Sequence, residues 1–250
     1  MSPFGATRSR VCKDHALITP ESFVSSALPG WSKTDVVILI APPLGARFTQ
    51  YLAFMEPGAA SSPAPAGVER FIYVLEGEIT LTYAPGGRET LKTGGYLYLP
   101  PGVDYPLYAQ KASKLNVFEK RFQPIEGADF LKPVFGQEQD ETGAPFEGDP
   151  DAVLKTLLPD SPLCDMAVNV FTFRPGAALP LVEVHVMEHG LLMLQGQGVY
   201  RLGASWYPVQ QGDVIWMAPF CPQWFVAMGK EPARYLYYKD VNRNPLALST

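Results

Sequence analysis

Glu183-Val-His185-Val-Met-Glu-His189, followed by Gly196, places one carboxylate and two of the chain's three histidines close together in sequence. Donor atoms bound to one ion at about 2.0–2.2 Å must lie within roughly 3–4 Å of one another, which excludes most backbone shapes. On a single helix His185 and His189 share a face, but Glu183 points roughly 200° away from His185. On a single straight strand Glu183 and His185 share a face, while His189 lies about 13 Å further on at ~3.3 Å per residue. A strand ending at Glu183-Val-His185, a turn through Val186-Met187-Glu188 and a neighbouring strand opening at His189 brings all three to one interior. The competing reading is a pair of histidines on a helix face. Pro175, Gly176 and Pro180 before the stretch, and Gly190, Gly196 and Gly198 after it, suit strands and tight turns instead.

The surrounding sequence is duplicated. Leu-Gln-Gly196 followed by Gly212-Asp-Val-Ile-Trp-Met-Ala-Pro has an earlier counterpart in Leu-Glu-Gly77 followed by Gly94-Gly-Tyr-Leu-Tyr-Leu-Pro-Pro, displaced by 119 and 118 residues. Each copy reads as short strands rich in Val, Ile, Tyr and Phe between Gly/Pro turns. The predicted strands are Phe71–Val74, Ile79–Tyr83, Tyr96–Leu99, Leu191–Leu194, Val199–Leu202, Val214–Met217 and Tyr235–Lys239. Two antiparallel barrels follow, one over residues 1–125 and one over 161–250. The polar, broken stretch 126–160 reads as a linker that covers a barrel edge, with a short helix over Asp151–Leu158 capped by Asp149 or Asp151.

The spacing resembles that of the cupin class, double-stranded β-helix (jelly-roll) barrels with a first motif H-x-H-x(3,4)-E-x(6)-G and a second motif G-x(5)-P-x-G-x(2)-H. Laid on this chain, the first motif gives Glu183, His185 and His189 ahead of Gly196. The second gives Gly212, with Ala218 and Phe220 in place of the usual Pro and Gly, and Gln223 where the last histidine belongs. The first copy carries that second motif cleanly as Gly94-x(5)-Pro100-Pro-Gly102-x(2)-Tyr105, and it fixes the register of Gln223. In that copy Ala64, Ala66, Arg70 and Tyr105 stand at the ligand positions, so it lacks a metal site. It serves as a packing and oligomerisation partner, or as a cavity taking an organic anion through Arg70. The expected fold is all-β: a bicupin of two tandem barrels.

Nearly the whole chain resembles the (S)-ureidoglycine aminohydrolase family, most closely from Glu183 through Asn242. The residues that carry the resemblance are Met187 through Leu202, Trp206-Tyr-Pro-Val, Gly212 through Trp224 and Tyr235-Leu-Tyr-Tyr-Lys239-Asp-Val-Asn-Arg. It implies a manganese ion held by Glu183, His185, His189 and Gln223, and substrate contacts from Tyr200, Tyr235 and Lys239. Two imidazoles, two oxygen donors and no thiolate independently suit a hard or borderline octahedral ion, with iron, nickel or cobalt as alternatives. The implied reaction is hydrolytic release of ammonia from (S)-ureidoglycine to give (S)-ureidoglycolate; on chemical grounds Glu183 or a neighbouring group is assigned to proton transfer, and Lys239 to pairing with the substrate carboxylate or moving a proton. Lys239 shares strand parity with Tyr235 and Tyr237 and is expected to face inward, though a lysine at a strand end also snorkels to solvent. Cys221 reads as a small buried thiol rather than a ligand. Two other classes fit a cupin site: a dioxygenase using the same metal, and a non-catalytic binder of small anions.

The resemblance implies a small ureido compound as the partner, and composition is consistent with a small-molecule enzyme. At 250 residues, 47% hydrophobic and 18% charged, the chain can bury one or two cores. A net charge of −5 without a Lys/Arg run argues against nucleic acid and anionic membranes. The N-terminal residues lack the apolar run of a signal peptide, which points to the cytoplasm. Cys12, Cys164 and Cys221 are odd in number and form no CxxC, so disulfides and zinc knuckles are not expected. His15 reads as a surface or capping residue of the N-terminal arm. Apolar sheet faces beside modest polar surface suggest a homo-oligomer.

Overall fold

A computed structural model describes residues 7–83, 86–103 and 105–243. The regular structure of the described residues is almost entirely strand, with only short 3-10 turns beside it, and they divide into two compact units. All seven predicted strand segments lie inside observed strands.

The first unit spans Val24–Glu141, with residues 161–163. Its ten-stranded antiparallel sheet wraps a core of Val36, Tyr51, Ile72, Val74, Leu97 and Val117 among others. At its centre the strand Val68–Glu76 runs between Gly95–Leu99 and Ser113–Arg121, with Arg70 opposite Leu99 on one side and Glu119 on the other.

The second unit is a barrel made of an eight-stranded and a three-stranded sheet. Here His189–Gln195 lies between Val214–Met217 and Ala233–Asp240, and His189 is opposite Met217 and Lys239. This register repeats that of Arg70, so the duplication seen in the sequence is a duplication of strand pairing. In the three-stranded sheet period-two alternation is clean. Gly198, Tyr200 and Leu202 are buried along one strand, and Gln223, Phe225 and Ala227 along its neighbour. The core they face contains Phe171, Phe173, Leu191, Met193, Tyr235 and Tyr237.

Gly196 opens the tight turn between the strands that carry His189 and Tyr200. It sits at φ +73°, and a Cβ there would stand 2.5 Å from the Pro232 carbonyl oxygen and 2.9 Å from the Ala233 Cα. Only glycine fits both the left-handed backbone and the close approach.

Four expectations are corrected. The stretch 126–160 is not a linker: Val134–Gln137 pairs with Gly95–Leu99 in the first unit, and Ala144–Phe146 and Asp149–Thr156 extend the eight-stranded sheet of the second. Asp151–Leu158 forms no helix, because Ala152 through Thr156 pair with Asn169–Phe173 and the sheet supplies their hydrogen bonds. The only helical turn in that stretch, among the described residues, is the 3-10 turn Glu138–Asp140. The N-terminal arm does not belong to the first unit. Its described residues up to Phe23 join the second, where His15–Ile18 pairs with Val214–Met217. His15 is accordingly a buried strand residue, 4% exposed. Its polar neighbours along the chain hide this, because the strand's partner lies some two hundred residues away.

Candidate metal centre

The ligand candidates converge at one end of the second barrel, on a backbone less regular than the two-strand reading expected. Glu183 forms an isolated antiparallel bridge with Gln223, exchanging both backbone hydrogen bonds (2.9 and 3.0 Å). His185 lies in irregular chain, and His189 opens its strand. Two bonds hold the turn between them. The Glu188 backbone N–H donates to Asp240 Oδ1 at 2.6 Å, and the Trp216 indole N–H reaches the buried Glu188 carboxylate at 3.4 Å.

Three side chains meet. His185 Nε2 and His189 Nε2 are 3.2 Å apart, and the Gln223 amide lies 3.0 Å from the first and 3.4 Å from the second. These are the separations expected of donors sharing one ion at about 2.0–2.2 Å. The His185 Nδ1–H donates to the Met187 carbonyl at 3.2 Å, which leaves the Nε2 lone pair directed at the cluster. A half-turn of the Gln223 amide interchanges its oxygen and nitrogen at the same place. The donor set therefore fits a divalent cation. Glu183 is brought to the same rim by its bridge to Gln223, but its carboxylate stands off. Among the described residues it joins no His/Cys/Asp/Glu triad with all ligand atoms within 4.8 Å.

Electrostatics keeps both imidazoles neutral. Burial lowers the pKa of His185, and the Lys239 charge adds to this; His189 is held well below the ordinary value by burial, then by His185 and Lys239. Burial raises the Glu183 pKa, opposed by Lys239 and reinforced by Glu147. The Lys239 charge thus acts on all three groups, and the residue is paired in register with His189. Tyr200 and Tyr235 are buried to 2% and 3% exposure, and burial raises both phenols, with the Glu183 charge adding to each.

Sequence reasoning missed Tyr237, which stacks on His189 with ring centroids 5.6 Å apart. It also missed Glu147, whose charge reaches Glu183 from an exposed turn at φ +49°. The Tyr237 signal was available in its parity with Tyr235; Glu147 had none. Phe220, the departure from the second motif, adopts φ +64° where its counterpart Gly102 has +81°. Its N–H donates to the His185 carbonyl at 2.7 Å, so the left-handed conformation is held by the ligand loop itself. Cys221 is a buried free thiol, raised to about 11 mainly by burial.

In the first barrel the equivalent place is filled. Arg70, 4% exposed, donates from Nε to Glu119 Oε1 at 2.6 Å and from NH1 to the Ser62 carbonyl at 2.8 Å, and it lies 5.5 Å over the Trp31 ring. Tyr51 OH donates to the same carboxylate oxygen at 3.1 Å. The guanidinium is already paired, so an open anion cavity at Arg70 is not what the fold builds.

The two barrels and their ligand cluster define a two-domain cupin, and the cupin domain family model matches residues 51–113 and 169–238. Across 97% of its length the chain is 48% identical to a probable (S)-ureidoglycine aminohydrolase of Oryza sativa subsp. japonica, covering 78% of that protein. It is 46% identical to the (S)-ureidoglycine aminohydrolase of Arabidopsis thaliana, over 97% of this chain and 80% of the relative. The crystal structure of protein Ylba from E. coli superposes with a TM-score of 0.85 at 33% identity, covering 97% of each chain. The chain belongs to the (S)-ureidoglycine aminohydrolase family.

Proposed function

We propose that this protein is a manganese-dependent enzyme that hydrolyses (S)-ureidoglycine to (S)-ureidoglycolate and ammonia. The observation that carries the reading is the His185–His189–Gln223 cluster, bridged to Glu183, within a chain of that family. His185, His189 and Gln223 would hold the ion, with Glu183, bridged to Gln223 through the backbone, as the fourth ligand. When bound, the ion supplies Lewis acidity toward substrate oxygens and fixes which face of the stereogenic carbon is presented.

The remaining work falls to the protein's own groups. Lys239 holds the substrate carboxylate beside the ligands. The oxygen of the Glu183 carboxylate that is not used as a ligand takes a proton from the attacking water and passes it to the departing amine. The C–N bond breaks, a C–O bond forms, and ammonia leaves with that proton. Tyr200 and Tyr235 stay protonated because burial raises both phenols, so they act as hydrogen-bond donors that orient the ureido group.

The test supplies freshly generated (S)-ureidoglycine to metal-free and manganese-reconstituted protein and follows ammonia against spontaneous decay. Acceleration only after reconstitution supports the reading, and decay at the uncatalysed rate in both refutes it. A Lys239→Met variant that still binds manganese should lose at least ~10²-fold in rate. Unchanged turnover removes Lys239 from the mechanism.

A further inference from the structure

A second cluster of ligand atoms lies beside the core of the second barrel, at the segment that leads into Gln223. One carboxylate oxygen of Asp14, one ring nitrogen of His15 and the Cys221 sulfur all fall within 4.8 Å of one another. Residues from three separate parts of the second unit build it: the turn before His15–Ile18, the loop after Val214–Met217, and the hairpin Gln197–Gln210. Backbone hydrogen bonds pin these parts together. Ala218 N–H donates to the Asp14 carbonyl at 2.9 Å, Cys12 N–H to the His15 carbonyl at 2.8 Å, Cys221 N–H to the Ala218 carbonyl at 3.1 Å, and Gly203 N–H to the Pro222 carbonyl at 2.8 Å. Gly203 leaves room for the acid, since a Cβ there would stand 3.2 Å from Asp14 Oδ2.

His15 is held at both nitrogens. Nδ1 lies 2.8 Å from Asp14 Oδ1 and Nε2 lies 2.9 Å from the Tyr207 hydroxyl, whose oxygen is 3.9 Å from the Cys12 sulfur. A cation bound beside Asp14 would put the ring proton on Nε2, donated to Tyr207, and leave the Nδ1 lone pair as the ligand next to Asp14 Oδ1. A partner that fixes the far nitrogen in this way is the usual support of a metal-ligating imidazole. Access exists from one side only: His15 and Cys221 are buried, while the Asp14 side chain is 47% exposed and Cys12 is exposed.

A sulfur, a nitrogen and an oxygen converging together suit a borderline or soft tetrahedral cation, in contrast to the sulfur-free set at the barrel mouth. We infer that Asp14, His15 and Cys221 form a second divalent-cation site, selective for zinc over manganese, with its fourth position open to water. Binding releases the Cys221 proton to solvent. The site clamps the N-terminal arm to the loop that leads into Gln223.

Cobalt(II) as a spectroscopic stand-in for zinc tests this on the manganese-loaded protein. A near-ultraviolet thiolate-to-cobalt charge-transfer band should saturate at one equivalent, a signal that a site of Glu, His, His and Gln without sulfur does not give. The band should vanish in Cys221→Ser, persist in His189→Ala, and be displaced by zinc. Tyr207→Phe, which keeps every ligand but loses the hydroxyl, should weaken cobalt binding by about tenfold. Absence of the band at saturating cobalt in the folded wild-type protein, or its survival in Cys221→Ser, overturns the assignment.

Discussion

The charge pair in the first barrel gives the sharpest quantitative test of what that barrel does. Replacing Glu119 with alanine removes the carboxylate from Arg70 Nε and from Tyr51 OH together. Arg70 is then left 4% exposed with the Ser62 carbonyl and the Trp31 face as its remaining contacts among those described above. Breaking a buried pair by removing one partner costs about 3–5 kcal/mol, mostly from the stranded charge. For a chain of this size that lowers the melting temperature on the order of 10 °C. The double variant Arg70→Met/Glu119→Gln removes the charge while keeping an acceptor for Tyr51, and it should regain most of the loss. Calorimetric melting of the two variants measures the difference, and ammonia release per folded molecule should stay at the wild-type level in both. A loss below about 1 kcal/mol in Glu119→Ala would refute the stranded-charge argument. A fall in activity at unchanged stability would instead make the first barrel part of the catalytic apparatus.

Three further outcomes are expected. Gly196→Ala drives a Cβ into the Pro232 carbonyl from a left-handed backbone and should cost more than about 2 kcal/mol by denaturant titration. Asp213→Ala removes a fully buried carboxylate that accepts two Arg8 bonds at 2.7 and 2.8 Å and the Gln210 N–H at 2.9 Å. The expected loss is about 2–4 kcal/mol, with faster tryptic cleavage at Arg8 and Arg10 as the sign that the arm has loosened. In metal-free protein, His185 and His189 have folded pKa values below the ordinary 6.5, so the unfolded chain takes up protons first as pH falls. Stability should therefore be flat above about 6.5 and decline below it, by at most about 1.4 kcal/mol per pH unit for each histidine, with Glu183 opposing this between 4.5 and its raised value. A His189→Asn variant should flatten the decline, and an unchanged slope would count against burial of a neutral imidazole.

Much of this architecture was legible because the relevant signals are local. The Gly77/Gly196 and Gly94/Gly212 pairs mark turns whose backbone only glycine tolerates, and the strands between them alternate or run continuously apolar. The meeting of His185, His189 and Gln223 was legible for a different reason: the two histidines lie within one short segment, and the duplicate fixed the register of Gln223. What could not be read were contacts between residues far apart in the chain. Asp151–Leu158 has a helix-like start signal, yet pairing with Asn169–Phe173 overrides it. His15 follows Lys13 and Asp14 and looks exposed, but Met217 is its strand partner. Phe220 looks like a defect in the motif, and its value lies in a bond to His185 that no spacing rule encodes.

The arm ahead of Phe23 has a consequence for how the molecule is made. His15–Ile18 is translated well before its partner Val214–Met217, which emerges only after the whole first barrel has left the ribosome. That segment must wait, held only by its short hairpin with Arg10–Val11, while an intervening domain folds behind it, and the second barrel closes around a strand that was made long before its partner. Fusion partners or tags placed ahead of this arm would bear directly on closure of the downstream barrel.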